Sequence, residues 1–337
     1  MYEEVAIDEV SMTPGKQIDK LVYAFLTHNK TLEESRKLKH KHKSLKLTFL
    51  GDIGQLGPPA EEHDPFFKAA AWKYVNVNYL TEVKRQTDKE FISIISQLRE
   101  GKVRNVIDWF ESKIGFQKKL DKDFIGSTCF PTNKQVDDFN AYKLAQLKTP
   151  EKTYYSENSG AVSRDWKNIP EFITVKVGMK VMLLVNNFDE MYANGDLGIV
   201  KECFPAGVLV ELVRDKRLVL VNYKTLDNTI ISTKKNGEAF QKRIGSINYL
   251  PIRQGDSSTI FKLQGLTLSD LQLDVTHRFL GRLSGGLYTG ITRVTSPQGL
   301  KIVGTKEDFI KACYLNPMYL DYLLKLDSQS TNELMAA

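Results

Sequence analysis

The sequence is poor in cysteine: Cys129, Cys203 and Cys313 are the only three in 337 residues. The number is odd, the spacings are wide, and no CxxC pair or Cys/His cluster occurs. Neither a disulfide framework nor a zinc site is indicated. No apolar run approaches the roughly 18 residues that a membrane span needs. The first ten residues, MYEEVAIDEV, lack the basic and apolar pattern of a leader peptide. Excess charge of one sign is also small, and the net +6 points only weakly to a polyanionic partner. There is no internal repeat and no low-complexity tract. These absences argue for a soluble, intracellular protein in a reducing compartment, with no membrane partner. At this length two or three domains are expected.

What is present is an alternation of strand and helix signals. Val5 to Ile7 is a short β-branched run that ends in Asp8 and Glu9. Ile18, Leu21, Val22, Phe25 and Leu26 fall on one helical face. The run RKLKHKHK, 36 to 43, reads as a solvated basic loop. LKLTFL then reads as a strand, and the alternation in WKYVNVNYL, Trp72 to Leu80, predicts another. Phe91, Ile94, Ile95 and Leu98 mark an amphipathic helix that Gly101 ends. This order argues for a mostly parallel sheet flanked by helices, and such sheets bind ligands at the carboxyl ends of their strands.

A second unit starts near 125, with a strand over Ile125 to Phe130, then PTNK, then a helix carrying Val136 and Phe139. From 172 to 232 the segments are short, β-rich and separated by turn signals such as Asn194-Gly195 and Arg214-Asp215-Lys216. That stretch reads as a small inserted β-barrel. After it, strand and helix signals alternate again.

Several polar motifs sit where strands end. Asp8 and Glu9 suit a nucleotide hydrolase, one acid holding magnesium and the next polarising water. Read alone, the pair fits a helix N-terminus equally well. The stretch GDIGQLGPP, 51 to 59, stops a strand abruptly. Its glycines allow a tight turn and its prolines fix the exit, while Gln55 could donate to a γ-phosphate or to an attacking water. Arg85 follows in TEVKRQ, and Arg293 lies in YTGITRV. An arginine reaching across a cleft stabilises charge on a transferring phosphoryl group, whereas either one alone could be a surface ion pair.

The ordered set carries more than its members. IDEVSM, GDIGQLGP, LTEVKRQ, CFPTNK, NGDLGIV, STIFKLQGLTL and YTGITRV together resemble the superfamily 1 DNA helicases, in the 5′-to-3′ branch that includes RecD and the phage Dda helicase. The resemblance runs from about residue 5 to residue 304. It implies an α/β fold of two RecA-like parallel-sheet domains, the first incomplete, with an inserted small SH3-like β-barrel. Residues 1–110 would be the C-terminal part of the first motor domain. Residues 111–171 and 246–330 would form the second, and 172–245 the barrel.

Carried over residue by residue, the resemblance makes Asp8 the magnesium ligand and Glu9 the general base. Gln55 becomes the γ-phosphate sensor with Asp52 in the same turn, and Arg85 and Arg293 the two arginines on that phosphate. Gly265 falls in the fifth motif beside the nucleotide. Thr132, Asn133, Thr259, Phe261, Lys262, Gln264 and Thr267 would meet DNA or couple it to the cleft. The implied cofactors are ATP and Mg2+, and the implied partners are single-stranded DNA and duplex junctions. Phe261 and Leu263 stand where the family pattern has histidine and serine. Phe261 could stack on a base or pack inside.

One family element does not occur. GxxxxGK[ST], whose amides cradle phosphates, is absent; PGKQ at 14–17 has the wrong residues and follows the acid pair. Met1 then falls near the middle of the first motor domain. The expectation is the C-terminal portion of an ATP-dependent helicase. The alternatives are a non-catalytic DNA-binding fragment, or a split subunit completed by an N-terminal helicase polypeptide.

Overall fold

The computed structural model describes residues 4–36, 45–58, 64–80, 82–164, 166, 169–233 and 239–336. The basic run at 36–43 lies outside them except for Arg36, the last residue of a helix. The chain forms two compact units, residues 1–131 with 259–337, and residues 132–258.

In the first unit, strand Glu4–Ile7 pairs in parallel with Lys46–Phe49, Ile7 opposite Phe49. The helix Gly15–Arg36 connects them, starting directly after Pro14, whose fixed φ favours a helix start. Parallel pairing brings both carboxyl ends to one edge, so Asp8 and Gly51 become neighbours. The ladder continues there: Leu50 N–H donates to Ile7 O, and Val10 N–H to Leu50 O, both at 2.8 Å.

Ile18, Phe66 and Ile53 pack with Tyr319, Leu323 and Leu326 of the helix Pro317–Ala336. Phe67 stacks on Tyr322 with ring centres 4.3 Å apart, and Trp72 Nε1 donates to Tyr322 Oη at 2.8 Å. The last helix is therefore part of the core beside the first two strands. No local signal in the sequence announces this.

The strand expected over Trp72 to Leu80 does not form. Ala70–Tyr74 is a 3-10 helix and 75–80 has no regular structure. Alternation creates a strand only where a neighbouring backbone completes its ladder. Here Trp72 turns inward onto Phe49 and Phe66, while Tyr74 and Leu80 stay exposed.

A second parallel sheet of the same unit runs Ser127–Phe130, Leu271–Asp274, Leu300–Val303, Phe116–Gln117. Its two strands Ser127–Phe130 and Leu271–Asp274 are buried at every position, as strands covered on both faces are. Helices Lys89–Arg99 and Val103–Lys113 bury Phe91, Leu98, Val106 and Phe110, and Phe110 meets Phe309 at 4.7 Å. Asp88 caps the first of these helices through the Phe91 N–H at 3.0 Å. Its far end closes with Gly101 at φ 74°, Lys102 N–H donating to Gln97 O and Gly101 N–H to Leu98 O, the double bond of a Schellman end.

The second unit is β-rich. Its five-stranded antiparallel sheet runs Leu218–Asn222, Gly207–Leu212, Leu197–Phe204, Lys180–Leu183, Ile252–Gln254. Lys224–Thr233, Ala239–Tyr249 and Glu157–Gly160 form a second sheet, and Glu151–Tyr155 pairs with Phe172–Lys176. The core is aliphatic: Val175, Val181, Leu183, Val200, Val208, Val210 and Leu212. Tyr154 is buried in it, and Leu144 and Leu147 pack on it from the end of helix Asn133–Gln146. That shared core makes the compact unit wider than 172–245.

Candidate active site

The site lies in the first unit, where both parallel sheets present their motif residues. Glu9 follows the first strand in a left-handed conformation, φ 53° and ψ 44°. A non-glycine residue adopts it only where surrounding contacts enforce it. Here Asp8 Oδ1 accepts the Glu9 N–H at 2.8 Å, and the Val10 N–H is tied to Leu50. Asp8 is exposed and Glu9 half-buried. Gln264 Nε2 donates to Glu9 Oε2 at 2.7 Å. Gln264 Oε1 is buried without a hydrogen-bond partner.

The turn after the second strand explains its own glycines. A Cβ on Gly51 would sit 2.9 Å from Val10 N, and one on Gly54 would sit 2.5 Å from Arg99 Cγ. The turn therefore approaches both the acid pair and the end of helix Lys89–Arg99. On a third side it meets Gly285, where a Cβ would lie 2.3 Å from Gln55 O. Leu56 N–H donates to Thr289 Oγ1 at 3.1 Å.

Asp52 is the centre of this turn. Its Oδ1 accepts from Gly54 N and Arg99 Nε, both at 3.0 Å. Its Oδ2 accepts from Tyr288 Oη at 2.9 Å and Gln55 Nε2 at 3.2 Å. Burial acts to raise its pKa, but the Arg99 charge and the other donors outweigh that and hold the carboxyl below its ordinary range. Arg99 also donates to Tyr79 Oη. The sequence places Asp52 beside a nucleotide; in the structure all four acceptor positions of its carboxylate are taken by groups of the chain.

Gln55 Oε1 accepts from Arg293 Nη2 at 3.2 Å. Arg293 is only 1% exposed, which removes the surface ion-pair alternative. Its Nε donates to Thr289 O at 2.9 Å, Nη2 also to Thr292 Oγ1 at 3.0 Å, and Nη1 reaches Leu266 O at 3.5 Å. Its partners are neutral. Burial first, then the neighbouring Arg85 charge, push its pKa down to about 10, against smaller support from Glu9. Arg85 Nε donates to Thr267 Oγ1 at 3.0 Å and Nη1 to Thr292 O at 3.1 Å. Neither arginine forms an ion pair among the described residues. Two cations side by side next to Gln55 make a place for an anion.

The fifth motif divides. Thr259 is buried and starts the short helix Ile260–Leu263, Phe261 is half-buried, and Lys262 is exposed. Gly265 turns the chain at φ 79°. Gln264 and Thr267 touch Glu9 and Arg85. In the second unit, Thr132 Oγ1 caps helix Asn133–Gln146, accepting from Gln135 N at 3.4 Å and donating to Gln135 Oε1 at 2.8 Å, with Asn133 exposed beside it.

Sequence reasoning missed Arg99, Tyr288 and Gln86. Gln86 is buried and donates to Thr292 O and Val294 O at 3.2 and 2.8 Å, holding the segment that carries Arg293. Tyr288 lay inside a recognised motif, so its position was visible but not its partner.

Two parallel sheets, an acid pair and glutamine at the strand ends of the first, and two arginines converging on them are the arrangement that the motif order led one to expect. No family model matches the chain. ATP-dependent DNA helicase Pif1 of Campylobacter jejuni is 26% identical over 355 residues, covering 97% of this chain and 73% of the relative. The Pif1 of Bdellovibrio bacteriovorus is 26% identical, with 90% of this chain and 66% of the relative covered. The zebrafish relative is covered over 46% of its length. Among solved structures, Bacteroides Pif1 in complex with ADP-AlF4 superposes with a TM-score of 0.73 at 23% identity, over 97% of this chain and 76% of that one. Candida albicans Pif1 gives 0.71 at 24%, over 96% and 77%. The chain is thus similar along nearly its whole length to Pif1 helicases, in line with the superfamily 1 motif order read in the sequence.

Proposed function

We propose that these residues supply the γ-phosphate side of the ATP cleft, and the DNA-contact motifs, of an ATP-dependent DNA helicase that moves 5′ to 3′ along single-stranded DNA and opens duplex junctions. The observation that carries this is Arg293, buried with no ion pair among the described residues and held against Gln55 beside Arg85. A buried guanidinium in that condition is stabilised by an arriving anion. Glu9, held next to the same cluster, is placed to take a proton from an attacking water. Gln55 and the two arginines stabilise charge on the transferring phosphoryl group.

Asp8 fits magnesium. It is exposed at a strand end, only its Oδ1 is engaged among the described residues, and no cluster of three metal-binding side chains forms among those residues. Magnesium takes few protein carboxylates and draws its other ligands from water and phosphate. When bound, the ion neutralises charge on the phosphates.

Coupling to DNA rests on the fifth motif. Gln264 and Thr267, on Glu9 and Arg85, flank the helix start that carries Phe261 and Lys262. Movement of that helix on a DNA strand changes what Glu9 and Arg85 touch. The helix start at Thr132 and Asn133 offers the backbone amides that bind phosphate. The β-rich unit is read as the SH3-like insert of this branch. GxxxxGK[ST] is absent from the 337 residues, so the cleft takes its phosphate loop from outside them, from further chain or a separate helicase polypeptide. That absence also favours a second reading, a DNA-binding fragment without turnover.

The test is ATP hydrolysis and single-stranded DNA binding by the purified chain. The expected result is binding that weakens steeply with salt, and turnover only with a phosphate loop present. DNA-stimulated turnover by the chain alone favours a phosphate route through other residues. Absence of DNA binding at low salt overturns the proposal.

A further inference from the structure

The chemistry of the contacts around Asp52 fixes more than the turn. An ionised carboxylate only accepts hydrogen bonds and a guanidinium only donates them. Gln55 lies between one of each. Its nitrogen must face Asp52 Oδ2, at 3.2 Å, and its oxygen must face Arg293 Nη2, also at 3.2 Å. The opposite orientation of the carboxamide sets oxygen against carboxylate and nitrogen against guanidinium, losing both bonds. The assignment of the two ends follows from the partners alone.

The relay holds only while Asp52 stays in place and ionised. Two side chains from different elements secure that. Arg99, at the end of helix Lys89–Arg99, holds Oδ1 at 3.0 Å and is itself anchored on Tyr79. Tyr288, in helix Gly286–Ile291, holds Oδ2 at 2.9 Å. Neither touches Gln55 or Arg293 through any hydrogen bond described above.

We propose that Arg99 and Tyr288 are positioning residues that act through Asp52, fixing which end of the Gln55 carboxamide faces Arg293 and so the pose of the buried guanidinium. With Nη2 held by Gln55 and Thr292 and Nε by Thr289, the weakly engaged Nη1 is the edge left for an anion. This rests on the function proposed above only for the identity of that anion, a terminal phosphate.

The charged and titratable groups around Asp52 are Arg99, Tyr288 and Arg293, with Tyr79 behind Arg99 and Glu9 on the far side of Arg293. Burial, and then the adjacent Asp52 charge, keep the Tyr288 hydroxyl protonated, so it remains a donor. Loss of either donor raises the pH at which Asp52 takes a proton. A protonated Asp52 can donate, and the constraint on Gln55 disappears.

The test reads side-chain NMR signals of Gln55 Nε2 and Arg293 Nε in the 15N-labelled full chain, which needs no turnover. The wild type is expected to show slowly exchanging Gln55 amide protons that broaden together with the Arg293 signal as pH falls. In Tyr288→Phe and Arg99→Lys the same change should begin at higher pH, and amide exchange at neutral pH should quicken about tenfold, the effect of one lost hydrogen bond. Tyr322→Phe, which removes a hydroxyl elsewhere in the unit, should leave both signals unmoved. Unchanged Gln55 and Arg293 signals in folded Tyr288→Phe and Arg99→Lys overturn the proposal. If either variant fails to fold, the wild-type titration decides: an Asp52 carboxyl signal that titrates without moving Gln55 overturns it equally. Failure of hydrolysis or DNA binding would count against the proposed function and leave this result standing.

Discussion

The β-rich unit and the strand-end cluster of the first unit are both buried, by opposite means. In the β-rich unit Val181, Leu183, Val200, Val208, Val210 and Leu212 are each 0% exposed and carry no polar group, while the Tyr154 hydroxyl in the same core donates to Phe204 O and Gly207 O. Burial there is non-directional and scales with area. In the first unit Arg293 is nearly as buried, yet its guanidinium is held by directed hydrogen bonds to a carbonyl, a hydroxyl and an amide. The aliphatic core stores stability. The cluster gives stability up, because a buried cation with no ion pair among the described residues costs folding energy, and an arriving anion offsets that cost.

The largest effect that sharpens this contrast is on Arg293. Arg293→Ala should lower turnover about 10³-fold or more in any hydrolysing form of the protein, measured by steady-state kinetics. Arg293→Met, similar in volume, should leave urea stability unchanged or raised. A strongly destabilised Met variant would show that the cluster is structural. In the other unit, Leu183→Ala should cost roughly 2–5 kcal/mol in denaturant unfolding.

The glycines in the turn and against it give an ordered series. Gly285→Ala places a Cβ 2.3 Å from a backbone oxygen at φ 72°, Gly54→Ala places one 2.5 Å from Arg99 Cγ, and Gly57→Ala meets the Tyr319 ring no closer than 3.4 Å, at its hydroxyl. Thermal melts should rank them in that order, from about 1–3 kcal/mol down to no measurable change. A costly Gly57→Ala would break the account of why the turn is glycine-rich.

Asp52 predicts a pH limb. Its folded pKa is depressed, so its contribution is complete above the ordinary aspartate pKa, about 4, and is lost as pH falls through the folded value. Asp52→Asn should therefore flatten the loss of stability with acid below about pH 4. Smallest of all, Lys262→Ala should reduce the salt slope of single-stranded DNA binding by about 0.7; an unchanged slope removes Lys262 from the phosphate contacts.

The failed strand at Trp72 to Leu80 shows the limit of periodicity. Alternation states which faces a segment could bury, but a ladder partner has to be supplied by the rest of the fold. The helix at Pro317–Ala336 shows the reverse, an element with an ordinary local pattern whose place beside the first two strands is set by Tyr319, Tyr322 and Leu323 meeting Phe66 and Phe67.

The sequence by itself determined the motif order, the two α/β stretches around a β-rich insert, and the residue types at the strand ends. Each of these is written in local spacing, through strand and helix periods and glycine or proline at turns. Tertiary structure alone decided that Arg293 is buried with no ion pair among the described residues, that Asp52 is a clamp, and that Gln264 rests on Glu9. Those partners stand 238, 236 and 255 residues apart in the pairs Gln55–Arg293, Asp52–Tyr288 and Glu9–Gln264. No local rule reaches that far. Which donor meets which acceptor was settled by packing two parallel sheets so that their carboxyl ends share one set of hydrogen bonds.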